Sequence, residues 1–230
     1  MLRAMYRAAP FFFVALLAAA IPAFWPTYLF PKKYEADWHV HLHGVAMLLW
    51  MLMLIVQSTL ASLRSFGAHR AIGKTSFVLV PVIVASTLLL AHYRMRSGIN
   101  RELLYFFYVQ MALLVQFLVA YFFAMANRRM SPVHMRFMAC TALALVDPIF
   151  ARLLAIHFGI EPPLMQLITY GFIDLVLVAL ILHDRMQDHY ARAYQGMLVV
   201  FVVTQAPTFF ITGTKEWLAF TKAFAKLPLP

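Results

Sequence analysis

LLYFFYVQMALLVQFLVAYFFAMA, residues 103–126, runs for 24 positions without a charged side chain. At about 1.5 Å per residue, a helix of that length spans about 36 Å and covers a hydrocarbon core of about 30 Å. Lipid offers no partners to backbone N–H and C=O groups, so the run must be helical. A barrel strand would be about half as long and would alternate, which this run does not. The same reading extends outward in both directions. Residues 8–30, 40–63, 75–93, 137–159, 164–183 and 194–214 are further apolar runs, divided by short basic loops. The expectation is an all-α polytopic membrane bundle of seven transmembrane helices, forming one domain over residues 1–230. Hydrophobic residues are 63% of the chain and charged residues 12%, too few to clothe a water-soluble surface.

The first run has a basic start at Arg3 and Arg7, and Ala18-Ala19-Ala20 resembles a cleavage region. Its apolar character continues through Phe24, Trp25 and Phe30, longer than a signal sequence, so a retained helix is expected. Pro22 and Pro26 should bend the first helix, Pro81 the third, Pro148 the fifth and Pro207 the seventh. After the last run, residues 215–227 read as an amphipathic helix lying in the headgroup plane. Trp217, Phe220, Phe224 and Leu227 share one face, and Lys215, Lys222 and Lys226 the other.

The formal charge of +10 comes from 19 Lys and Arg against 9 Asp and Glu. These cations lie between membrane spans, which points to anionic lipid headgroups and topology and away from nucleic acid. With the N-terminus in the cytoplasm, ten of the 19 fall on that side, eight on the other, and Arg152 inside a span. That bias sets the expected orientation. Cys140 is the sole cysteine and sits in an apolar run, so no intrachain disulfide, iron–sulfur cluster or cysteine-based zinc site can form.

Two groups of residues could carry chemistry. The second run opens Trp38-His39-Val40-His41-Leu42-His43-Gly44. His39 and His43 are one helical turn apart and share a stripe with Trp50 and Gln57, while His41 points elsewhere. Imidazole ligates zinc, copper and iron, haem iron included, and Gly44 would admit a neighbouring helix or a flat cofactor. His43 is the leading candidate ligand, with His92 or His157 facing it, and His39 with His43 the candidate metal pair. The second group is Asp147, Arg152 and Asp174, charged residues within spans. A charge at that depth costs several kcal/mol unless paired or hydrated, so Arg152 should reach Asp174, Asp147 or both. On the predicted inner side, His69 and Arg70 precede the third helix, His183 and Asp184 end the sixth, and His189 follows. Asp184 could pair with Arg70 or orient an imidazole.

Taken together, these residues make the chain resemble a family of uncharacterised bacterial multi-pass membrane proteins, a domain of unknown function. The resemblance rests on His41-x-His43-Gly44, then Trp50 and Gln57, then His69-Arg70-x-x-Gly73, Asp147-Pro148-x(3)-Arg152-Leu153, Asp174, His183-Asp184 and His189. It implies a six- or seven-helix protein of the bacterial inner membrane and supplies no activity. Microbial rhodopsins fit worse, because residues 194–214 lack a retinal-bearing lysine; membrane hydrolases of the ceramidase type fit worse, because those residues lack histidine.

Three function classes survive the sequence. One is a redox protein holding haem b or a transition metal on the histidines. Another is a transporter or receptor centred on Asp147, Arg152 and Asp174. The last is an accessory subunit packed against a membrane-protein partner or a second copy of itself.

Overall fold

The computed structural model of the protein describes residues 2–30, 36–187 and 192–230, with side chains from residue 8 onward. Among these residues the structure is all-helical, without strands. The helices are α1 (Leu2–Phe24), α2 (Trp38–Ser62), α3 (Phe66–Gly73), α4 (Ser76–Arg96), α5 (Arg101–Ala126), α6 (Ser131–Phe158), α7 (Leu164–Met186), α8 (Arg192–Gln205) and α9 (Lys215–Ala225). A π turn, Trp25–Leu29, follows α1, and a 3₁₀ turn, Ala206–Phe209, follows α8.

Six stretches are long and apolar enough to cross a membrane: Ala8–Leu29, Trp38–Ser62, Phe66–Arg96, Arg101–Ala126, Ser131–Phe158 and Leu164–Met186. The chain is a multi-pass membrane protein. The expected seventh run is not one continuous helix. α8 has 14 residues and stops where Pro207, lacking a backbone N–H, turns the chain into the 3₁₀ turn. α6 begins at Ser131, six positions before the apolar run starts, with Pro132 in its first turn. Proline there costs nothing, because a first-turn N–H has no partner within the helix. Polar residues of the preceding loop are thereby carried into α6. Side chains settle the other helix starts: Asp37 accepts from the His39 N–H at 3.0 Å, Asn100 from Leu103 at 2.8 Å and Thr214 from Trp217 at 3.2 Å. Gly159, in the left-handed region at φ 64°, closes α6.

The chain divides into two compact units, Met1–Tyr93 with Leu229–Pro230, and Arg94–Pro228. In the first, α1 packs along α2, and the Tyr28 ring lies against Gly44, where a Cβ would sit 3.1 Å from Cζ and Oη of Tyr28. The short α3 folds back on α2 through His69 Nδ1, 3.2 Å from the Gln57 carbonyl oxygen. In the second unit α6 packs with α5, α7 and α8, and every residue from Cys140 to Asp147 is buried. A helix enclosed all round has no lipid-facing stripe, which is why α6 shows no polarity around its axis there. α9 sets Trp217 and Phe224 on the Phe107 ring of α5, at 5.2 and 4.9 Å between centroids. Part of the aromatic face expected to meet lipid is therefore covered by protein.

Candidate functional site

The second unit carries polar groups at both ends. At one end α5 and α7 begin and α6 and α8 finish. There Gln166 Nε2, on the third residue of α7, donates to Oδ2 of Asp147. Asp147 is buried at 2% exposure. A count along α6 puts Asp147 near mid-membrane, and its partner Gln166 stands in the first turn of α7. Asp147 acts electrostatically on Arg152, and Arg152 also feels the guanidinium of Arg94. Arg152 lies five residues on, off the face of Asp147, and its side chain curls back so that Nη1 donates to the Pro148 carbonyl at 2.9 Å. Helical spacing alone does not forbid the pair, because the long arginine stem reverses.

Tyrosines surround this carboxylate. The charge of Asp147 acts on Tyr105 of α5 and Tyr170 of α7. Tyr170 Oη is 3.1 Å from Thr208 Oγ1 in the 3₁₀ turn, and Tyr108 Oη donates to the Thr204 carbonyl at 3.1 Å. One layer deeper, Gln116 Nε2 donates to Thr204 Oγ1 at 2.8 Å. Asp174, one helical turn beyond Tyr170, shares a side-chain hydrogen bond with Gln205. The sequence expectation named Arg152's partner as Asp174, Asp147 or both. The structure sets Asp147 in its electrostatic reach and holds Asp174 on α8. The Tyr105 hydroxyl and Gln116 Oε1 are buried and make no hydrogen bond among the described residues.

At the other end stands a buried ion pair that the sequence did not announce. Arg136 donates through Nε and Nη2 to the two carboxylate oxygens of Asp184, the second bond at 2.7 Å, and through Nη1 to the Pro132 carbonyl at 2.7 Å. Both side chains are wholly enclosed. The Tyr194 ring of α8 lies 5.9 Å from the guanidinium carbon. The Asp184 carboxylate, expected to meet Arg70 or an imidazole, is therefore taken on both oxygens by Arg136. Arg70 and His183 are exposed. His189 lies outside the described residues.

The histidines of the first unit are mostly engaged by protein. His39 is stacked between Trp38 and Tyr93; its Nδ1 meets Asp37, and its Nε2 lies 3.1 Å from the Pro230 carbonyl oxygen. His41 Nδ1 lies 3.1 Å from the Tyr28 hydroxyl. His43 Nδ1 is 3.4 Å from both Ser86 Oγ and Thr87 Oγ1 on α4. His92 is fully buried on that same helix, and His157 is exposed at the end of α6. The flat ring beside Gly44 is Tyr28. Among the described residues no three His, Cys, Asp or Glu side chains come together as metal ligands.

Arg136, Gln166 and the tyrosines around Asp147 are the site residues that motif reading missed. Ser131-Pro132, a helix-start signal, was available in the sequence and would have put Arg136 inside α6. Nothing in the sequence marks Tyr105, Tyr108 or Gln166 among other residues of apolar runs. No protein-family model, characterised protein or solved structure matches the chain.

Proposed function

We propose that the protein is a bacterial inner-membrane transporter or receptor for a small polar ligand, with its working site at the polar centre around Asp147. One observation carries this reading: a buried carboxylate, two arginines, three tyrosines and two glutamines converge from four helices of one unit. A bundle that needs only stability gains little from such groups, since buried ionic clusters roughly break even against apolar packing. Intramembrane ionisable residues cluster where a ligand, ion or proton is handled. In this reading Asp147 is oriented by Gln166 and balances Arg152. The tyrosine hydroxyls and Gln116 line the way in, and the broken end of α8 supplies the Thr204 carbonyl. A helix interrupted at a polar site is a recurring device in membrane carriers.

The seven-crossing topology belongs to the same proposal. α8 and its 3₁₀ turn together cover Arg192–Phe209, roughly 29 Å if α8 keeps 1.5 Å and the turn 2.0 Å per residue. α9 would then lie at the headgroup level on the side opposite a cytoplasmic N-terminus, with Lys215, Lys222 and Lys226 toward lipid phosphates. The family resemblance and the bacterial inner membrane rest on the motifs quoted above.

The test is a thermal-melt screen of the purified full chain in nanodiscs against acetate, glycine, glucose and ethanolamine. A ligand present at 100 times its Kd stabilises by about 2.7 kcal/mol, an easily read shift. The reading expects at least one solute class to raise the melting temperature of wild type and to lose that effect in Asp147→Asn. It fails if no class acts on wild type.

A second reading, haem or transition-metal redox chemistry, keeps support from one observation: His43 faces the α4 helix that also carries the fully buried His92. The fit is poor, because both ring nitrogens of His39 are engaged and Tyr28 fills the space beside Gly44, so no step through iron is derived. A Soret band or stoichiometric metal in protein from haem- and metal-replete cells would reverse the order of the two readings.

A further inference from the structure

We propose that the ligand of the polar centre carries a primary ammonium group, and that the side-chain carbonyl of Gln116 accepts from it beside the end of α8. This rests on the reading of that centre as a ligand site, and names the class of ligand.

Atom identity is the first argument. Gln116 of α5 meets Thr204 of α8 at 2.8 Å between Nε2 and Oγ1. A threonine hydroxyl has one proton to give. Here that proton is directed to carbonyls of its own helix, Val200 at 2.8 Å and Phe201 at 3.0 Å. Toward Gln116 the hydroxyl can therefore only accept, which turns the amide NH2 to Thr204. The remaining amide atom, Oε1, is an acceptor, and it makes no hydrogen bond among the described residues. Enclosure is the second argument. Gln116 is 1% exposed, so its Oε1 is shut off from bulk water. Buried polar atoms in folded proteins are nearly always satisfied, so an acceptor held in this way marks a position for a donor. The Thr204 carbonyl accepts from Tyr108 Oη at 3.1 Å, so Gln116 and the tyrosine layer share one anchor on α8.

Charge is the third argument, and it selects among donors. Thr204 is the last residue but one of α8, and the final carbonyls of a helix carry partial negative charge. The last turn, residues 202–205, is Val-Val-Thr-Gln and holds no basic residue to offset that charge. Asp174 adds a carboxylate at the same end through its hydrogen bond with Gln205. A cationic donor gains from this field, a neutral hydroxyl gains less, and an oxyanion is repelled by it. A primary ammonium combines the charge with N–H groups that an amide oxygen accepts.

Full-length protein in phosphatidylcholine nanodiscs is melted at pH 7 while methylammonium chloride replaces tetramethylammonium chloride at constant ionic strength. A parallel arm replaces it with sodium chloride. Tetramethylammonium has the charge without an N–H, and sodium is a cation without a donor. The expected result is a saturable rise in melting temperature with methylammonium and none with sodium. Gln116→Met keeps the length of the side chain and removes the carbonyl; it should raise the half-saturating methylammonium concentration about tenfold or more. Gln116→Glu keeps an acceptor oxygen and should retain the response. Where Gln116→Met does not fold, the wild-type arms and Gln116→Glu decide. The proposal is overturned if methylammonium does not shift wild type, if sodium shifts it equally, if Gln116→Met responds as wild type does, or if Gln116→Glu loses the response. If methylammonium is inert while acetate or glucose acts through Asp147, the ammonium inference falls and the site reading stands. If no class acts, both fall.

Discussion

Arg136 and Asp184 show most directly what one enclosed contact does in this bundle. Each has its charge fully compensated by the other, and the third guanidinium nitrogen bonds to a backbone carbonyl. Removing one partner leaves a charge that neither lipid nor water can reach. Arg136→Leu should therefore cost about 3–5 kcal/mol, and the double change Arg136→Leu/Asp184→Leu much less. Thermal melts of the two single and the double variants decide it, and simple additivity would refute the coupling. Gly44 makes the complementary point about space. An added methyl would meet the Tyr28 ring at 3.1 Å, so Gly44→Ala should destabilise by about 1 kcal/mol or more. Combining it with Tyr28→Leu should recover most of the loss. Charge and aromatic motifs drew attention to Asp147, Arg152 and Gly44 from sequence. Their partners are tyrosines and glutamines of ordinary apolar runs, and only tertiary packing distinguishes those from their neighbours.

At the scale of the element, helix ends decide more than helix interiors. The six membrane-length helices were readable because each is a run of about 20 or more apolar residues that lipid forces to be helical. Helix ends were less legible: α6 gains a polar first turn, and Pro207, expected only to bend the seventh run, follows the end of α8. Residues that open a helix look like loop until a partner such as Asp184 compensates them. The start of α2 offers a pH test. The Asp37 carboxyl is held below its usual range, first by the backbone N–H of His39 and then by the side chain of His39. A lowered carboxyl contributes stability that is complete above its ordinary value and fades as pH falls through the lowered one. The difference in melting temperature between wild type and Asp37→Asn should hold near pH 5 and shrink below about pH 4. A gap unchanged down to pH 3 would exclude the cap as its source.

For the whole molecule, the second unit is organised as two polar ends separated by an apolar middle. Phe201, Leu177, Ile173, Met197 and Leu143 are all buried between the Asp147 centre and the Arg136–Asp184 pair. The middle is filled by buried apolar side chains. Phe201→Ala should open a cavity and cost about 3–5 kcal/mol by denaturation. The number of crossings is a molecular-scale question as well. A reporter fused after Pro230 should be active outside the cytoplasm if α8 crosses with its 3₁₀ turn, and cytoplasmic activity would leave six crossings.

Enclosure of α6 has one more consequence, for how the protein can be watched. Cys140 is the chain's single thiol and lies at zero exposure at the start of the fully enclosed stretch. A maleimide cannot reach it while α5, α7 and α8 stay packed around α6. Labelling then becomes a clock on the native protein, with no tag or engineered cysteine. Its rate under native conditions reports how often the second unit comes apart, residue 140 serving as the hand, and any ligand that tightens this unit should slow it.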